Sequence, residues 1–405
     1  MITIATKKEK FSFNDIDDFY RWIVKAKDID CIKIDGLKEA KDLYEFLVFY
    51  KTVKRKFEHE INNINSSFIN DEDNKYVKDA VNELIRMNSD GKYLRASLIA
   101  LGYRSFGKDG DKYLPLALAY ETFQTSILIH DDIIDNANLR RGKITIPKSY
   151  ENRFDAYDKD DSLFENRKKH IADSLGICIG DLGFYLASKI VINNYSEDDS
   201  FKRLLDLYNK IVINTIKGEI IDVLLPFEEQ YRKKKSSTED SVIEIYKLKT
   251  AWYSIIGPFA LGMVLSNASE KEISDMEEVL YNLGIAFQIK DDILGIYGNE
   301  TEIGKSASSD ISEFKQTILY TYVSKNNDKL LAELNKVYGK ENLSEDDINT
   351  VKDIFYKSGA KEYAVSMMES MFEKSRDKLS KIDFIGEEYK NIINGFITYL
   401  NLRTK

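Results

Sequence analysis

The stretch PLALAYETFQTSILIHDDIID, residues 115–135, decides how the rest of this chain is interpreted. Its apolar residues recur at spacings of three and four, which predicts a helix that Pro115 opens. The C-terminal part of this helix carries Asp131, Asp132 and Asp135. In a helix the first and last of these lie about one turn apart with the second beside them, so three carboxylates converge on one side. Three like charges repel one another, and a set of hard oxygen ligands is typical of a Mg²⁺ site.

A second acidic cluster, DDILG at residues 291–295, closes another helical segment, SDMEEVLYNLGIAFQIKDDILGIYG, which we expect to end at Gly298. Negative charge in an apolar helix is costly unless it has a partner, so we expect both clusters to bind a cation. The 405 residues include only four prolines, and most of the chain has helical spacing of its apolar residues. These patterns predict a mainly helical protein.

Composition limits the setting of this chemistry. A hydrophobic fraction of 43% and a charged fraction of 31% are typical of a soluble globular protein with a large core. The net charge of −9 argues against nucleic acid as a partner. Two cysteines make no disulfide framework, which favours a reducing compartment. The polar N-terminus and the lack of a run of about 18 apolar residues predict a cytoplasmic protein without a membrane-spanning segment.

The basic residues indicate that the predicted metal site also binds a phosphorylated substrate. They lie close to the acidic clusters in the sequence or within apolar helical segments, as Arg and Lys that bind phosphate oxygens would. The set contains Lys92, Arg95, Arg140, Arg141, Lys249, Lys305 and Lys315. Seven cations and two acidic clusters predict two phosphorylated ligands held side by side, one through metal and one through cations alone.

The chain divides into two unequal parts by pattern. The pattern predicts that residues 1–42 form an N-terminal appendage of mixed α/β character and unknown role. It predicts that residues 43–405 form one helical domain. Two charge-dense stretches, 148–168 and 230–240, are predicted to be surface insertions of that domain. A lid is the alternative for the first, because it follows the arginine-rich loop beside Asp135.

An ordered set of motifs resembles the trans-isoprenyl diphosphate synthases, also called polyprenyl synthetases. The set is GKYLR (91–95), LIHDDIIDNANLRRG (128–142), ICIGD (177–181), KGEIID (217–222), YKLKT (246–250), FQIKDDILGIYG (287–298) and GKSASSDISEFKQT (304–317). Each motif alone is weak, but their order and spacing are highly specific. The resemblance implies an all-α fold of the isoprenoid synthase type, with a single large helical bundle around a central cavity.

The resemblance also implies roles for individual residues. Mg²⁺, about three ions per active site, would be bound by Asp131, Asp132, Asp135, Asp291 and Asp292. The allylic diphosphate would contact Arg140, Lys249, Lys305 and Lys315. The isopentenyl diphosphate site would contain Gly91, Lys92, Arg95, Gln124 and Arg141. Thr250 and Gln288 would line the space in which a carbocation forms, and the assembly would be a homodimer.

The implied reaction is the head-to-tail (1'-4) condensation of isopentenyl diphosphate with an allylic diphosphate. It needs charge stabilisation and proximity but no enzyme nucleophile. Two alternatives remain. A class I terpene cyclase shares an aspartate-rich helix but acts on one substrate, which leaves Lys92, Arg95 and Arg141 without a role. A non-catalytic subunit of a heteromeric synthase would be expected to lose one acidic cluster or the isopentenyl diphosphate cations.

Product length is expected to depend on side chains below Asp131 on the same helix face. Ile127 and Ser126 lie about one turn deeper, followed by Phe123 and Tyr120. In relatives that stop at fifteen carbons an aromatic residue commonly blocks the first level, where this chain has Ser126. We therefore expect Phe123 and Tyr120 to form a lower floor, which favours a product of about twenty carbons, geranylgeranyl diphosphate.

Two positions depart from the pattern of the family. Gly295 stands where many members carry a third aspartate, which predicts weaker metal binding on the Asp291 side. Phe314 stands where glycine is usual, directly before Lys315, so the reach of that lysine is open at this point.

Overall fold

The computed structural model describes residues 1–6, 10–26, 31–70, 74–89, 91–155, 162–231, 237–298, 308–340 and 342–403. Helices dominate these residues and confirm the predicted all-α class. The small amount of sheet lies near the N-terminus and in one short hairpin.

The N-terminal unit is a three-stranded antiparallel sheet with one helix. Its elements are β1 (Ile2–Thr6), β2 (Lys10–Phe13), α1 (Ile16–Lys25) and β3 (Cys31–Asp35), with strand order β2-β1-β3. Asp15 caps α1 by accepting a hydrogen bond from the amide of Asp18. The ring of Phe19 packs edge-on against Phe13 at 5.7 Å, which joins the helix to the sheet.

The first half of the helical bundle contains the hairpin and the longest helices. Its elements are α2 (Lys38–Asn70), α3 (Lys75–Asn88), α4 (Leu94–Arg104), α5 (Leu114–Ile134), β4 (Leu139–Arg140), β5 (Lys143–Ile144), α6 (Ile146–Phe154), α7 (Ser162–Tyr195) and α8 (Phe201–Tyr231). Helix α2 begins before the predicted domain boundary at residue 42. Helix α5 confirms the predicted helix at 115–135, with Pro115 in its first turn and Asp135 as its C-cap.

The second half continues the bundle and brings the C-terminus back to the N-terminal unit. Its elements are α9 (Glu239–Ile245), a π helix (Tyr246–Ile256), α10 (Gly257–Leu265), α11 (Glu270–Tyr297), α12 (Ser308–Ser312), α13 (Ile318–Asn326), α14 (Asp328–Leu334), α15 (Glu345–Lys357), α16 (Ala360–Ser380) and α17 (Glu387–Leu402). Ser269 and Glu272 form a capping box at the start of α11, and Gly298 follows its end as predicted. Tyr399 of α17 packs against Tyr20 of α1 at 6.1 Å.

The core of the bundle surrounds α5. Tyr120 and Phe123 are fully buried there, and Phe123 contacts the rings of Phe184, Tyr208 and Tyr253 on three other helices. Helix α5 packs along α7, and α11 packs along both α16 and the π helix. The two acidic clusters therefore come from helices on different sides of one bundle.

The two stretches predicted to be surface insertions include helix ends. The stretch 148–168 contains the end of α6 and the start of α7, with residues 156–161 outside the described part. The stretch 230–240 contains the end of α8 and the start of α9, with 232–236 also outside it. At Gly257-Pro258 the helix type changes, because eleven π-helical residues precede Gly257 and α10 begins there.

Two of the described segments, Arg167–Tyr195 and Glu239–Leu265, are long and apolar enough to cross a membrane by length and composition alone. The apolar window of the second is 89% buried within the bundle, whereas that of the first is only 39% buried. Core helices of soluble proteins meet the same criterion, so this finding is weak evidence for a membrane span.

Candidate active site

A tight hairpin places two arginines beside the end of α5. Strands β4 and β5 pair Leu139 with Ile144 and Arg140 with Lys143, so only two residues form the turn. These are Arg141, with φ of 53°, and Gly142, with φ of 74°. Two-residue turns of this kind need positive φ at both positions, which is strained for an arginine. The turn sends the side chains of adjacent arginines to different partners.

Arg140 binds two members of the first acidic motif, which we define as Asp131, Asp132 and Asp135. Its Nη2 donates to Asp131 Oδ2 at 2.5 Å, and its Nε donates to Asp132 Oδ1. Asp132 is almost fully buried. Burial opposes the charged form of Arg140, but Asp131 and Asp132 outweigh this, and the pKa of Arg140 is raised. The arginine assigned to a diphosphate is therefore a counterion of the carboxylates in this structure.

Lys249 of the π helix forms a second counterion next to Asp131. Its Nζ lies 2.6 Å from Asp222, 2.8 Å from Glu219 and 3.8 Å from Asp131. A Cβ at Gly218 would lie 2.6 Å from the backbone nitrogen of Lys249, so only glycine allows α8 this close to the π helix. Burial opposes the charge on Lys249, but the three carboxylates raise its pKa.

The second acidic motif, Asp291 and Asp292 of α11, has a different environment. Asp292 is buried and accepts hydrogen bonds from the Tyr246 hydroxyl and from Gln288 Nε2, the latter at 2.8 Å. Gln288 in turn accepts from the Thr250 hydroxyl at 2.6 Å. Burial raises the pKa of Asp292 to about 8, although both hydrogen bonds lower it. Thr250 and Gln288, predicted to line the reaction space, thus hold Asp292.

Asp291 is more accessible, with 41% of its side chain exposed, and it forms an ion pair with Arg403. The guanidinium of Arg403 also lies 4.0 Å from the centre of the Phe287 ring, and only 9% of its side chain is exposed. This pairing joins α11 to the residue that follows α17.

A third acid reaches the second motif from outside α11. A Cβ at Gly295 would lie 2.4 Å from Asp310 Oδ2, so the Asp310 carboxylate occupies the space next to this glycine. Its charge contributes to the raised pKa of Asp292. Lys315 Nζ lies 3.4 Å from Asp310 and 2.9 Å from Glu313, and Asp310, Asp135 and Glu313 raise its pKa against the effect of burial. Lys315 therefore interacts with Asp135 of the first motif and with Asp310, the acid that lies beside the second motif.

The residue before Lys315 adopts a turn conformation that favours glycine, although it is a phenylalanine. Phe314 adopts a φ of 55°, a conformation that favours glycine. Its ring packs edge-on against Tyr320 and Tyr338 at 5.3 and 5.5 Å, which compensates for the strained backbone. The phenylalanine therefore does not keep Lys315 away from Asp135 and Asp310.

A separate group of polar residues lies between α4 and α5. Arg95 donates to Ser254 Oγ at 2.6 Å and lies 4.2 Å from the centre of the Tyr253 ring. The buried carboxylate of Glu121 accepts from the amide of Ala96 at 2.9 Å, and burial raises its pKa. Burial lowers the pKa of Arg141, while Glu121 opposes that shift.

The other residues predicted for the isopentenyl diphosphate site are Lys92, Gln124 and Gly91. Lys92 is exposed, and its backbone carbonyl accepts from the Tyr50 hydroxyl at 2.5 Å. Gln124 is buried on α5, and a Cβ at Gly91 would lie 2.5 Å from the Tyr93 ring. Lys305, which is predicted to contact the allylic diphosphate, lies outside the described residues.

An apolar cavity of about 570 Å³ extends from Asp131 between α5, α7 and α8. Ile127 lines it, together with Phe184 of α7 and Tyr208 of α8. Ser126 instead lies between helices, because its hydroxyl donates to the Thr122 carbonyl at 3.1 Å and a Cβ at Gly183 of α7 would lie 2.2 Å from it. Phe123 packs behind the cavity wall, 5.7 Å from Phe184 and 5.8 Å from Tyr208. Tyr120 is deeper still and donates to the Tyr253 carbonyl at 2.6 Å.

The donor set fits Mg²⁺ held jointly with a ligand. Within the described ranges, no three His, Cys, Asp or Glu side chains are close enough to form a metal site alone. Mg²⁺ usually takes one or two carboxylates plus water and substrate phosphates, so preassembled coordination is not required. The candidate donors are carboxylate oxygens, and Lys249 and Lys315 lie beside those of the first motif, which suits a hard cation bridged by phosphate.

Several residues at the site had no role assigned from the motifs. They are Glu121, Glu219, Asp222, Tyr246, Asp310 and Arg403. The spacing of Glu219 and Asp222, three positions apart in KGEIID, was a usable signal for a shared helix face. The contacts of Tyr246 and Arg403 join distant parts of the chain and have no such local signal.

Comparisons with known proteins give similarities in sequence and in fold. The polyprenyl synthetase family model matches residues 74–355. The geranylfarnesyl diphosphate synthase of Aeropyrum pernix is 31% identical over 78% of this chain and 91% of its own. The geranylgeranyl diphosphate synthase of Sulfolobus acidocaldarius is 27% identical over 80% of this chain and 92% of its own. The geranylgeranyl pyrophosphate synthase of Corynebacterium glutamicum, solved with isoprenyl diphosphate and magnesium, shares the fold with a TM-score of 0.76 at 23% identity, covering 88% of this chain and 99% of its own.

Proposed function

Because the chain belongs to the polyprenyl synthetase family, we propose that it catalyses the head-to-tail (1'-4) condensation of isopentenyl diphosphate with an allylic diphosphate. One observation supports this most. Lys249 lies beside Asp131 at the mouth of the apolar cavity, and Lys315 interacts both with Asp135 of the first motif and with Asp310, the acid beside Gly295 of α11. A diphosphate held at the mouth would leave its prenyl chain in the cavity.

Mg²⁺ is the cofactor of this proposal, with about three ions per active site. Asp131, Asp132 and Asp135 would hold it on one side and Asp291 on the other, and Asp292 would join them once it is ionised. When bound, Mg²⁺ neutralises the charge that develops on a leaving diphosphate. The carboxylate of Asp131, which lines the cavity, and the accessible carboxylate of Asp291 support this assignment.

The chain's own residues supply the rest of the chemistry. Lys249 and Lys315 place positive charge where the leaving diphosphate would develop negative charge, and their raised pKa keeps them protonated. Arg95 and Arg141, with Lys92 nearby, would hold isopentenyl diphosphate, so that its double bond lies close to the allylic carbon. Thr250 and Gln288 would face the carbocation while they orient Asp292.

Product length would be limited by Tyr208 on α8 instead of by α5. Glu219 binds Lys249 at the level of Asp131, and Tyr208 lies eleven residues earlier. At 1.5 Å per residue this distance is about 16 Å. An extended prenyl unit adds four bonded carbons, or about 5 Å, so the cavity accommodates about three units. A farnesyl primer fits, and geranylgeranyl diphosphate, with about twenty carbons, would be the main product.

This limit is tested by Tyr208→Ala, which should shift the main product to twenty-five carbons or more because the cavity floor is lowered. Tyr356→Ala is the matched control, since Tyr356 is 64% exposed and outside the cavity lining. Chromatography of dephosphorylated products measures the change. An unchanged product profile in active Tyr208→Ala protein would show that the floor lies elsewhere.

We also propose a homodimer formed through α7 and α8. Both helices expose apolar side chains at spacings that form continuous stripes. These residues are Ile171, Ile177, Tyr185 and Ile192 on α7, and Ile213, Ile216, Ile220, Val223, Leu224, Phe227 and Tyr231 on α8. Tyr185, Ile216 and Ile220 also line the cavity. A second copy on this surface would cover the apolar stripes and close the open side of the cavity to water.

The dimer is tested by Ile220→Asp, which should give a monomer in analytical ultracentrifugation, with Tyr356→Ala as an exposed control. A dimer that persists in the aspartate variant would place the interface elsewhere. Burial of Glu239–Leu265 in the bundle and of the α7 stripe in a dimer would leave neither helix free for a membrane, which supports a cytoplasmic location.

The reaction itself is tested by incubation with Mg²⁺, isopentenyl diphosphate and allylic primers of increasing length. We expect elongated linear prenyl diphosphates with every primer up to farnesyl diphosphate. Cyclised hydrocarbon from an allylic diphosphate alone would identify a terpene cyclase. Absence of product, with activity restored by a second polypeptide, would identify a non-catalytic subunit.

A further inference from the structure

Arg403 occupies the accessible carboxylate of the second acidic motif. Its Nη2 pairs with Asp291 Oδ1 and lies 3.4 Å from the carbonyl oxygen of Phe287 one turn earlier on α11. The guanidinium also covers the face of the Phe287 ring at 4.0 Å. Three favourable contacts on an arginine that is only 9% exposed make a better-defined ion pair than most at protein surfaces.

The backbone near Arg403 fixes this position. Its amide donates to the Tyr399 carbonyl at 3.0 Å, which completes the last turn of α17, and its ψ of 142° then turns the chain out of the helix. Tyr399 is held between Tyr20 of α1 and the rings of Phe46 and Tyr50 on α2. The side chain of Arg403 is thus presented to α11 by a packed scaffold.

Asp291 is the member of the second motif best suited to receive a metal ion from solvent. It is 41% exposed, whereas Asp292 is buried under Tyr246 and Gln288. A cation that binds Asp291 must share or displace the positive charge of Arg403, because both compete for the same carboxylate. The first motif has a similar arrangement through Arg140, but that arginine follows the motif by only a few residues.

We infer that Arg403 is a counterion that competes with the metal ion for Asp291 and thereby sets the Mg²⁺ concentration at which the second motif fills. This inference rests on the proposed metal role of Asp291. Loss of the arginine charge should strengthen Mg²⁺ binding at Asp291, and retention of the charge should preserve the competition. The same competition predicts that Mg²⁺ binding frees the end of α17 from α11.

The test is calorimetric titration of Mg²⁺ into the full chain in the presence of inorganic pyrophosphate. Arg403→Gln should lower the Mg²⁺ dissociation constant by about fivefold, and Arg403→Lys should stay within about twofold of the wild type. Lys378→Gln is the matched control, since Lys378 pairs with Glu278 on the exposed part of the same α11. Unchanged or weaker Mg²⁺ binding in Arg403→Gln would overturn the inference.

A second measurement covers the case in which Arg403→Gln is poorly folded. Hydrogen exchange of the wild type at the Arg403 amide, which bonds to Tyr399, should accelerate on addition of Mg²⁺ and pyrophosphate. Unchanged or slower exchange would contradict the inference. If Asp291→Asn binds Mg²⁺ like the wild type, the proposed metal role itself fails; if Asp291→Asn weakens binding while Arg403→Gln does not strengthen it, only the role of Arg403 fails.

Discussion

The two acidic motifs begin with the same two letters, but their surroundings give them different chemistry. The first motif is neutralised by nearby cations, of which Arg140 binds Asp131 and Asp132 together. In the second motif Asp292 is buried under hydrogen-bond donors, and Asp291 pairs with a residue at the far end of the chain. A carboxylate's burial and partners therefore decide whether it stays ionised, and the aspartate spacing does not.

The largest expected effect is a loss of catalytic rate that differs between the two motifs. Asp131→Asn should reduce the condensation rate by about 1,000-fold, because Asp131 faces both the cavity and Lys249. Asp291→Asn should reduce it by about 10- to 100-fold, since its carboxylate is shared with Arg403. Steady-state rates at saturating Mg²⁺ measure both. Equal rate losses in the two variants would show that the two motifs contribute equally to catalysis.

The next effect tests the counterions of the first motif. Lys249→Met should reduce the rate by about 100-fold and destabilise the fold by about 3 kcal/mol, because Glu219, Asp222 and Asp131 lose their shared cation. Lys247→Met is the control, since Lys247 is 41% exposed and its ion pair, with Glu244, is long at 4.0 Å. Denaturant unfolding and rate measurements check the pair. Similar stability of both variants would show that the Lys249 network contributes little.

A smaller effect should distinguish Asp292 from the other aspartates through pH. Burial raises its pKa to about 8 in the folded state, well above the value of about 3.9 in an unfolded chain. The stability that comes from binding this proton is present below about pH 4 and is lost as the pH rises through about 8. Asp292→Asn does not titrate there, so its melting temperature should exceed that of the wild type increasingly from pH 5 to pH 9, by about 5 °C at the end.

Thermal unfolding in EDTA measures this difference without bound metal. A melting-temperature difference that does not change with pH would mean that Asp292 is already ionised in the folded protein. The amide should also lower activity by about tenfold near pH 7, because it keeps the shape of the carboxyl group but cannot ionise to join the metal ligands.

The smallest effect concerns the glycine that replaces a third aspartate. Gly295→Ala should cost about 1 kcal/mol or less, because its Cβ meets the movable carboxylate of Asp310. Gly218→Ala should cost about 2 to 3 kcal/mol, because its Cβ would meet the backbone of Lys249 at 2.6 Å. Urea unfolding of both variants gives the comparison. A larger cost at Gly295 would show that Asp310 is fixed in place by the second motif.

Local signals explain which features the sequence predicts well. The helix that carries Asp131 to Asp135 and the helix that ends at Gly298 follow from apolar spacing and end residues within each segment. The partners of Asp291 and Asp292 do not, because Arg403 and Tyr246 lie 112 and 46 positions away. No periodicity within one helix relates such residues.

The prediction for the cavity floor also depends on contacts between helices, here between neighbouring ones, which the spacing within one helix does not give. Helix spacing relates Ser126 and Ile127 to Asp131 along α5, but it does not say which neighbour each one meets. Gly183 allows α7 to approach Ser126 closely, while Ile127 faces the open space between α7 and α8. The neighbouring helices determine which side chains form the cavity wall. The spacing within one helix cannot specify how those neighbours are placed.

The most direct test of this account is the diffraction of crystals grown with Mn²⁺, as an anomalous substitute for Mg²⁺, and an unreactive allylic diphosphate analogue. The account predicts metal peaks at Asp131 and Asp135 and at Asp291, with the diphosphate between the two motifs and the prenyl chain directed towards Tyr208. Metal at one motif alone, or a diphosphate bound away from Lys249, would contradict it.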